Sequence, residues 1–577
     1  MHFFTRFWDA VKVLLLISYV LQSESVVAQT RWARPAGGAG QDNARKLAID
    51  GSGNAYVVGS FTGPAQFGAL TLGQAGTGGK PQAYLAKYNA QGEVLWAKEA
   101  PAIVFADVAI DADGNPCVVG GFSGSGTFGG TALTSRADFD VVVAKYDPQG
   151  NVLWARAGGT APGSTLSVNA LALDAAGNVY VAGSLGGSAN IGGSAGALTS
   201  EGSLNLFVAK YDSQGNPRWA RQGGGSKGSG CAATGLGVDA AGNAYLSGFF
   251  GNTATFGSTT LTNPDLATTG GRSLLVKYSS NGAFVWARSE GGPGAARIDG
   301  IAVDGQGNSF ITGMLGGSPL STNVFGPYTF QEAAFDGFLV KHDADGNLAW
   351  ASQIGGPSTE YGTGVAVDKA GNGYVTGIFG FSVATWGSAT TLASAGNKLV
   401  FAVKYEPQGK VLAAQREALC GVAINPVIAV GPNQDIYLAG QFSGTTSFAS
   451  TRLTGNPNDV FITRLGDLSV PSTPDSFTCN GQAAPAPTPA PAPAATEIII
   501  PNILTPNGDG LNDKLEIKGL VGNLWSFNVY TRWGTQVYTT ASYQQDWDPA
   551  GLPAGTYYYL LHHATGPGYR GWIQVVH

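Results

Sequence analysis

The chain is 577 residues long, enough by length for about three or four average domains, with a formal net charge of -6 and a pI near 5.4. Its 87 glycines are roughly twice the usual share, charged residues make up only 12%, and apolar and aromatic residues reach 44% and 10%. That balance excludes a disordered chain, which lacks apolar material, and a nucleic-acid binder, which needs clustered Lys and Arg. What remains is a β-rich, turn-rich protein.

The first residues read as an export address. Arg6 and Lys12 supply a positive region, Val13 to Leu21 an apolar stretch, and Val26 and Ala28 the small side chains before a cut at Gln29. Residues 1–28 are therefore expected to be a signal peptide. The apolar stretch is too short to cross ~30 Å of hydrocarbon, and no later segment approaches the ~20 residues required, so no membrane span is expected. Cys117, Cys231, Cys420 and Cys479 are too few and scattered for a disulfide framework, and no C-x-x-C spacing suggests a thiolate metal site.

Self-comparison then reveals a repeat. Tyr56-Val57-Val58-Gly59 recurs with its glycine at 120, 183, 248, 313, 377 and 440, giving seven copies. Each copy is preceded by a strand-like run such as Leu171-Ala172-Leu173-Asp174, joined to it by a D-x-x-G-N turn such as Asp174 to Asn178. A third run follows, as in Val141 to Tyr146. A second turn, Asp147 to Asn151, then leads into Val152-Leu153-Trp154-Ala155-Arg156. Four short strands in a meander have the size and pattern of one propeller blade, which cannot bury both apolar faces without neighbours. Trp-Ala recurs at Trp32, Trp96, Trp154, Trp219, Trp286 and Trp350, and Trp32 precedes any first strand, whereas the last copy stops at Val460 to Arg464. The economical solution is that the Trp32 segment completes the seventh blade. The expected fold is all-β, a seven-bladed β-propeller of 28 strands over residues 29–470, closed by an N-terminal strand. The Lys-Tyr, Asp-x-x-Gly-Asn and Trp-Ala elements resemble the SBBP-type β-propeller repeat family, which implies the fold and an extracellular habit but no activity.

After Pro471 the composition changes. Residues 471–496 form a Pro/Ala-rich linker whose Ala483 to Ala495 stretch could reach ~40 Å as polyproline. Residues 497–577 hold strand-like runs at Phe527 to Tyr530, Tyr557 to Leu561 and Trp572 to Val576, enough for a small Ig-like β-sandwich. Thr505-Pro506-Asn507-Gly508-Asp509-Gly510-Leu511-Asn512-Asp513, Arg532-Trp533-Gly534, Trp547-Asp548 and Gly555-Thr556-Tyr557 resemble the gliding motility-associated C-terminal domain. That family is the type B sorting domain of the type IX secretion system. The resemblance implies passage through the periplasm and across the outer membrane by the type IX machinery, followed by secretion or display on the cell surface. The terminal His577, where the family commonly ends on a basic residue, and Pro549, where glycine is usual, depart from its pattern.

Asn507, Asp509, Asn512 and Asp513 place four oxygen side chains close together, a composition suited to Ca²⁺. The spacing is not that of an EF-hand, and Asx-rich turns also form only to satisfy backbone donors, so a calcium loop and a plain turn both stand. No other cofactor is implied.

No catalytic residue is assigned. Asp50, Asp111, Asp174, Asp239, Asp304 and Asp368, like Lys87, Lys145, Lys210, Lys277, Lys341 and Lys404, recur in copy after copy, and a catalytic group is needed once. Both D-x-x-G-N hairpins of a blade fall on one face, leaving the variable loops on the other, where binding tends to reside. There Tyr328, Phe330 and Tyr361 are candidate ligand-binding aromatics for a glycan or protein. The leading reading is an exported propeller for recognition or adhesion. The alternative is a polysaccharide-active or quinoprotein-like enzyme, and a third reading is a structural surface protein.

Overall fold

A computed structural model describes residues 31–73, 81–100, 103–136, 139–191, 196–200, 204–225, 229–264, 271–291, 295–316, 322–331, 335–356, 359–380, 383–386, 390–393, 399–417, 423–448, 451–468 and 500–576 except 508–511, 518–524, 544–546 and 564–567. The expected signal peptide, the linker, Cys420, Cys479, Gly508, Asp509 and Gly510 lie outside the described residues. The chain divides into two compact units, Met1–Ala484 and Pro485–His577.

In the first unit a four-stranded antiparallel meander recurs along the chain, as in Asn43–Ile49, Ala55–Phe61, Gln82–Tyr88 and Val94–Ala100. The second strand is apolar and buried along its whole length, because it packs on both faces; the fourth is half-buried or exposed at all but its last residue. The D-x-x-G-N turn has a uniform construction. Asp174 Oδ1 accepts from the Ala176 and Asn178 amides at 3.1 and 2.9 Å, and Gly177 takes φ +73°, which an L side chain rarely adopts.

The last meander is Ala423–Val430, Ile436–Phe448, Thr451–Gly466 and, from the other end of the unit, Trp32–Gly38. Trp32 pairs with Arg464 and Ala36 with Val460 in antiparallel register. Side chains repeat the same junction between successive meanders. Trp96 Nε1 donates to the Pro148 carbonyl at 3.0 Å and Trp154 Nε1 to Ser213 at 3.1 Å; Trp32 Nε1 donates to Ala90 of the first meander at 2.9 Å. Likewise Tyr180 Oη donates to the Gly242 carbonyl at 2.7 Å, and Tyr437 Oη to Gly53 at 3.1 Å. The first strands of successive meanders pack on one another, and Asn43–Ile49 packs on Ala423–Val430.

The structure adds strands that the count of 28 omits. A short hairpin stands between second and third strands, for example Ala65–Phe67 with Leu70–Leu72, Thr253–Phe256 with Thr259–Thr262, and Thr322–Phe325 with Tyr328–Gln331. Several pair onto the fourth strand of the preceding meander: Phe67 with Ala36, Asn190 with Gly159, Thr255 with Gly224. They cover part of an otherwise open sheet edge.

In the second unit the described residues form one five-stranded sheet, in the order Ile503–Leu504, Gly568–Val575, Gly555–His563, Trp525–Thr531, Gln536–Thr540. No second sheet faces it among the described residues, in contrast to the expected sandwich. The covering layer is irregular chain: Leu515, Ile517, Tyr543 and Trp547 bury themselves against Phe527, Val529 and Ile573. Aromatics from loops thus fill the space that a second sheet would occupy.

Candidate functional site

Each first strand carries a β-bulge near its middle, where one residue is skipped in the pairing with the second strand. The skipped residues are Arg45, Ala106, Asn169, Thr234, Asp299 and Thr363, with Asn425 and Pro426 in the last meander. The recurring glycine of the second strand is the counterpart of this bulge. A Cβ on Gly59, Gly183, Gly313 or Gly377 would fall within 2.0 Å of the carbonyl oxygen of Asn43, Ser167, Arg297 or Tyr361, so only glycine admits the bulged backbone. The residue that sets the phase of the repeat is therefore the one that makes the bulge possible.

Apart from the buried Pro426 the bulge residues are exposed or half-buried, and three of them bond to the adjoining first strand. Asn169 Nδ2 donates to the Ala233 carbonyl at 2.8 Å, and Thr234 Oγ1 to Ile298 at 3.3 Å; Thr363 Oγ1 donates to Pro426. Toward the D-x-x-G-N turns the same strands present Ala48, Ala109, Ala172, Ala302 and Ala366, with the half-buried Lys46 and the buried Asp107 as charged residues on that side of the bulge. A charged group stands out among them. Arg297 and Asp299 form an ion pair at 2.8 Å. Burial holds the Asp299 carboxyl above its ordinary value against the opposing pull of Arg297. Tyr361 lies within electrostatic reach of both, and burial raises its phenol.

Of the expected aromatic residues, Tyr361 therefore joins the bulge level. Tyr328 and Phe330 sit instead on the hairpin Tyr328–Gln331. Phe330 is only 7% exposed and packs on Phe325 at 5.7 Å, the place taken by Leu261 and Leu453 in sibling hairpins. Its role is core packing. Tyr328 is half-buried against two core clusters.

The recurring Asp, Lys and Trp residues are scaffold. Lys145 pairs with Asp111 at 2.7 Å; Lys210 lies 4.6 Å from the Tyr180 ring centroid and 3.3 Å from Asp174. Cys117 and Cys231 are buried thiols, each pushed up to about 12 by burial. His342 is wholly buried on a third strand.

In the second unit Arg532-Trp533-Gly534 forms a tight hairpin turn: the Gly534 amide donates to the Thr531 carbonyl at 2.9 Å, with Gly534 at φ +83°. Trp533 is 81% exposed, with Arg532 over its ring at 4.8 Å. The Thr505 amide donates to the Asn512 carbonyl at 3.0 Å, and Asp513 Oδ1 accepts from the Asn507 amide at 2.9 Å, a turn-forming bond. Pro506 precedes this turn; Thr556 Oγ1 donates to Gln574 at 2.8 Å, and Tyr557, next to Gly555-Thr556, is buried.

Residues 498–575 match the type IX secretion signal domain, and residues 31–62 and 349–377 match the β-propeller repeat. The chain carries β-propeller repeats and a type IX secretion signal domain. The secretion signal implies a type IX secretion system as partner and supports export to the outer cell surface or beyond. No helix among the described residues is long and apolar enough to cross a membrane.

The chain is similar to an uncharacterised WD repeat-containing protein of Acanthamoeba polyphaga mimivirus, 22% identical over 454 residues, 63% of this chain and 31% of that one. The chain thus spans less than a third of that relative's length. Among solved structures it is similar to the Dos1 propeller (10% identity, 76% of this chain and 96% of that, TM-score 0.38). Sqt1 from Chaetomium thermophilum (9%, 76% and 100%, 0.37) and a Synechocystis apocarotenoid oxygenase mutant (9%, 77% and 95%, 0.36) are similar too. Likenesses at this identity say nothing of activity.

Proposed function

We propose that the protein is an exported recognition propeller, displayed on or released from the cell surface. In this reading seven blades over residues 29–470 close into a ring through the N-terminal strand. A linker over 471–496 joins it to the sorting domain at 497–577. The pairing of Trp32–Gly38 with the last meander, and the repetition at Ala90 and Gly53 of the bonds made between other neighbours, support closure. The first strands then ring an axis, and their bulges form a collar toward the face of variable loops.

The observation that carries recognition is the collar's composition. At the D-x-x-G-N turns and the Trp junctions most repeats place the same residue type at the same position, whereas the bulge holds Arg45, Ala106, Asn169, Thr234, Asp299, Thr363 and Asn425. A position fixed in backbone geometry but varied in side chain suits a polar ligand, a glycan or a protein loop, held by Arg297, Asp299 and Tyr361. The test is a glycan array and a cell-adhesion assay on the full chain beside Arg45→Ala, Arg297→Ala and Tyr361→Ala variants. Binding that falls at least tenfold with unchanged melting supports the reading. Binding indifferent to all three removes it, and depolymerisation of a polysaccharide that stops in Asp299→Asn moves the protein to the enzyme class.

A further inference from the structure

At one junction the repeat departs from its own pattern. The third strand of the second meander opens on Asp140. Its Oδ1 accepts from the Thr160 amide at 2.9 Å, and its Oδ2 from the Arg136 amide at 2.7 Å. The corresponding residue of the last meander is Asp459, and the facing strand is the N-terminal one, ending at Gly37 and Gly38. A second carboxylate, Asp42, comes from the segment that leaves that strand. A Cβ on Gly37, which has φ +137°, would stand 2.6 Å from Asp459 Oδ1 and 2.7 Å from Asp42 Oδ2, so both carboxylates face the space this glycine leaves open.

Asp42 is 1% exposed and Asp459 7%. Asp42 Oδ2 accepts from the Gly38 amide at 2.7 Å and Asp459 Oδ2 from the Asn456 amide at 2.8 Å. The Oδ1 atom of each has no hydrogen-bond partner, and among the described residues neither carboxylate makes an ion pair. Burial, with the Asp459 charge adding to it, pushes the Asp42 carboxyl up to about 6 against the opposing pull of the Gly38 and Thr62 amides. Asp459 faces that space with its unpartnered Oδ1 and Asp42 with Oδ2, the oxygen that accepts from Gly38; two buried carboxylates this close with no positive partner are costly unless a cation compensates them.

We infer that Asp42 and Asp459 bind a divalent cation of the calcium class, which ties the N-terminal strand to the third strand of the last meander. Hard carboxylate oxygens with water completing the shell suit Ca²⁺. The site is distinct from the acidic loop at 507–513, and it does not depend on any ligand of the collar.

The test uses the full chain carrying Asp509→Asn and Asp513→Asn, which removes that loop's carboxylates, stripped with EDTA. Millimolar CaCl₂ is expected to raise its melting temperature by at least about 2 °C and to compete with terbium, whose luminescence is excited through nearby aromatic rings. Adding Asp42→Asn and Asp459→Asn should abolish both responses. Responses that survive those substitutions overturn the inference. So does a parent chain indifferent to CaCl₂, a result indicating that the pair shares a proton instead. If the quadruple variant does not fold, the parent alone decides: a CaCl₂ response larger than that to MgCl₂ supports the site, and none refutes it.

Discussion

Trp32→Ala isolates the contribution of the N-terminal strand. Trp32 is 4% exposed, donates to Ala90 at 2.9 Å and meets Tyr437 edge-on at 6.2 Å. Trp286 provides the internal standard. It is 7% exposed, donates to Ala344 at 3.3 Å and meets Tyr245 edge-on at 6.0 Å. Truncating a buried Trp to Ala costs about 3–5 kcal/mol, including the cavity and an edge-to-face contact of about 0.5–1.5 kcal/mol. Because the two environments match, Trp32→Ala and Trp286→Ala should agree within about 1 kcal/mol, even though Trp32 lies hundreds of residues from the strand it joins. Urea unfolding followed by circular dichroism measures both. A Trp32→Ala variant that loses less than about 0.5 kcal/mol, as a surface change would, while Trp286→Ala loses the full amount, refutes the reasoning.

Three further outcomes are expected. Burial alone would raise the Asp111 and Asp174 carboxyls, but bonds from Lys145, Lys210 and the turn asparagines outweigh it and hold both below the usual range. Their contribution is therefore complete above about pH 4 and is lost as pH falls through the depressed values, so melting temperature should drop steeply below pH 4, less so in Asp174→Asn. Cys117 and Cys231 should resist iodoacetamide at pH 8 in the native protein and react after unfolding, read by peptide mass spectrometry; native labelling of either contradicts its burial. Gly313→Ala places a Cβ 1.9 Å from the Arg297 carbonyl oxygen, so it should cost about 1–3 kcal/mol and displace Arg297 and Asp299, weakening any collar ligand beyond the stability loss.

The scaffold was legible because its forces are local and repeated. Tyr-Val-Val-Gly, the Asp-x-x-Gly-Asn turn and Trp-Ala meet the same neighbours in most meanders, and the orphaned Trp32 pointed to its partner at Arg464. The short hairpins were missed although Phe67-Gly68, Phe128-Gly129, Phe256-Gly257 and Phe325-Gly326 carry a signal. Their loop glycines all take φ between +51° and +59°, and Phe330 belongs to that pattern as a core residue. The bulge collar left only an indirect trace. The recurrent glycine reads as strand phase until the approaching carbonyl is seen. The Asp42–Asp459 pair left none, since two carboxylates over 400 residues apart meet only once the ends of the unit are joined.

Amide hydrogen exchange across residues 32–38 of the full chain tests that joining most directly. Protection equal to that of the fourth strands Val152–Thr160 and Pro217–Gly224 is the expected result. Exchange as fast as that of an unpaired terminus contradicts it, and with it the ring, the collar and the cation latch.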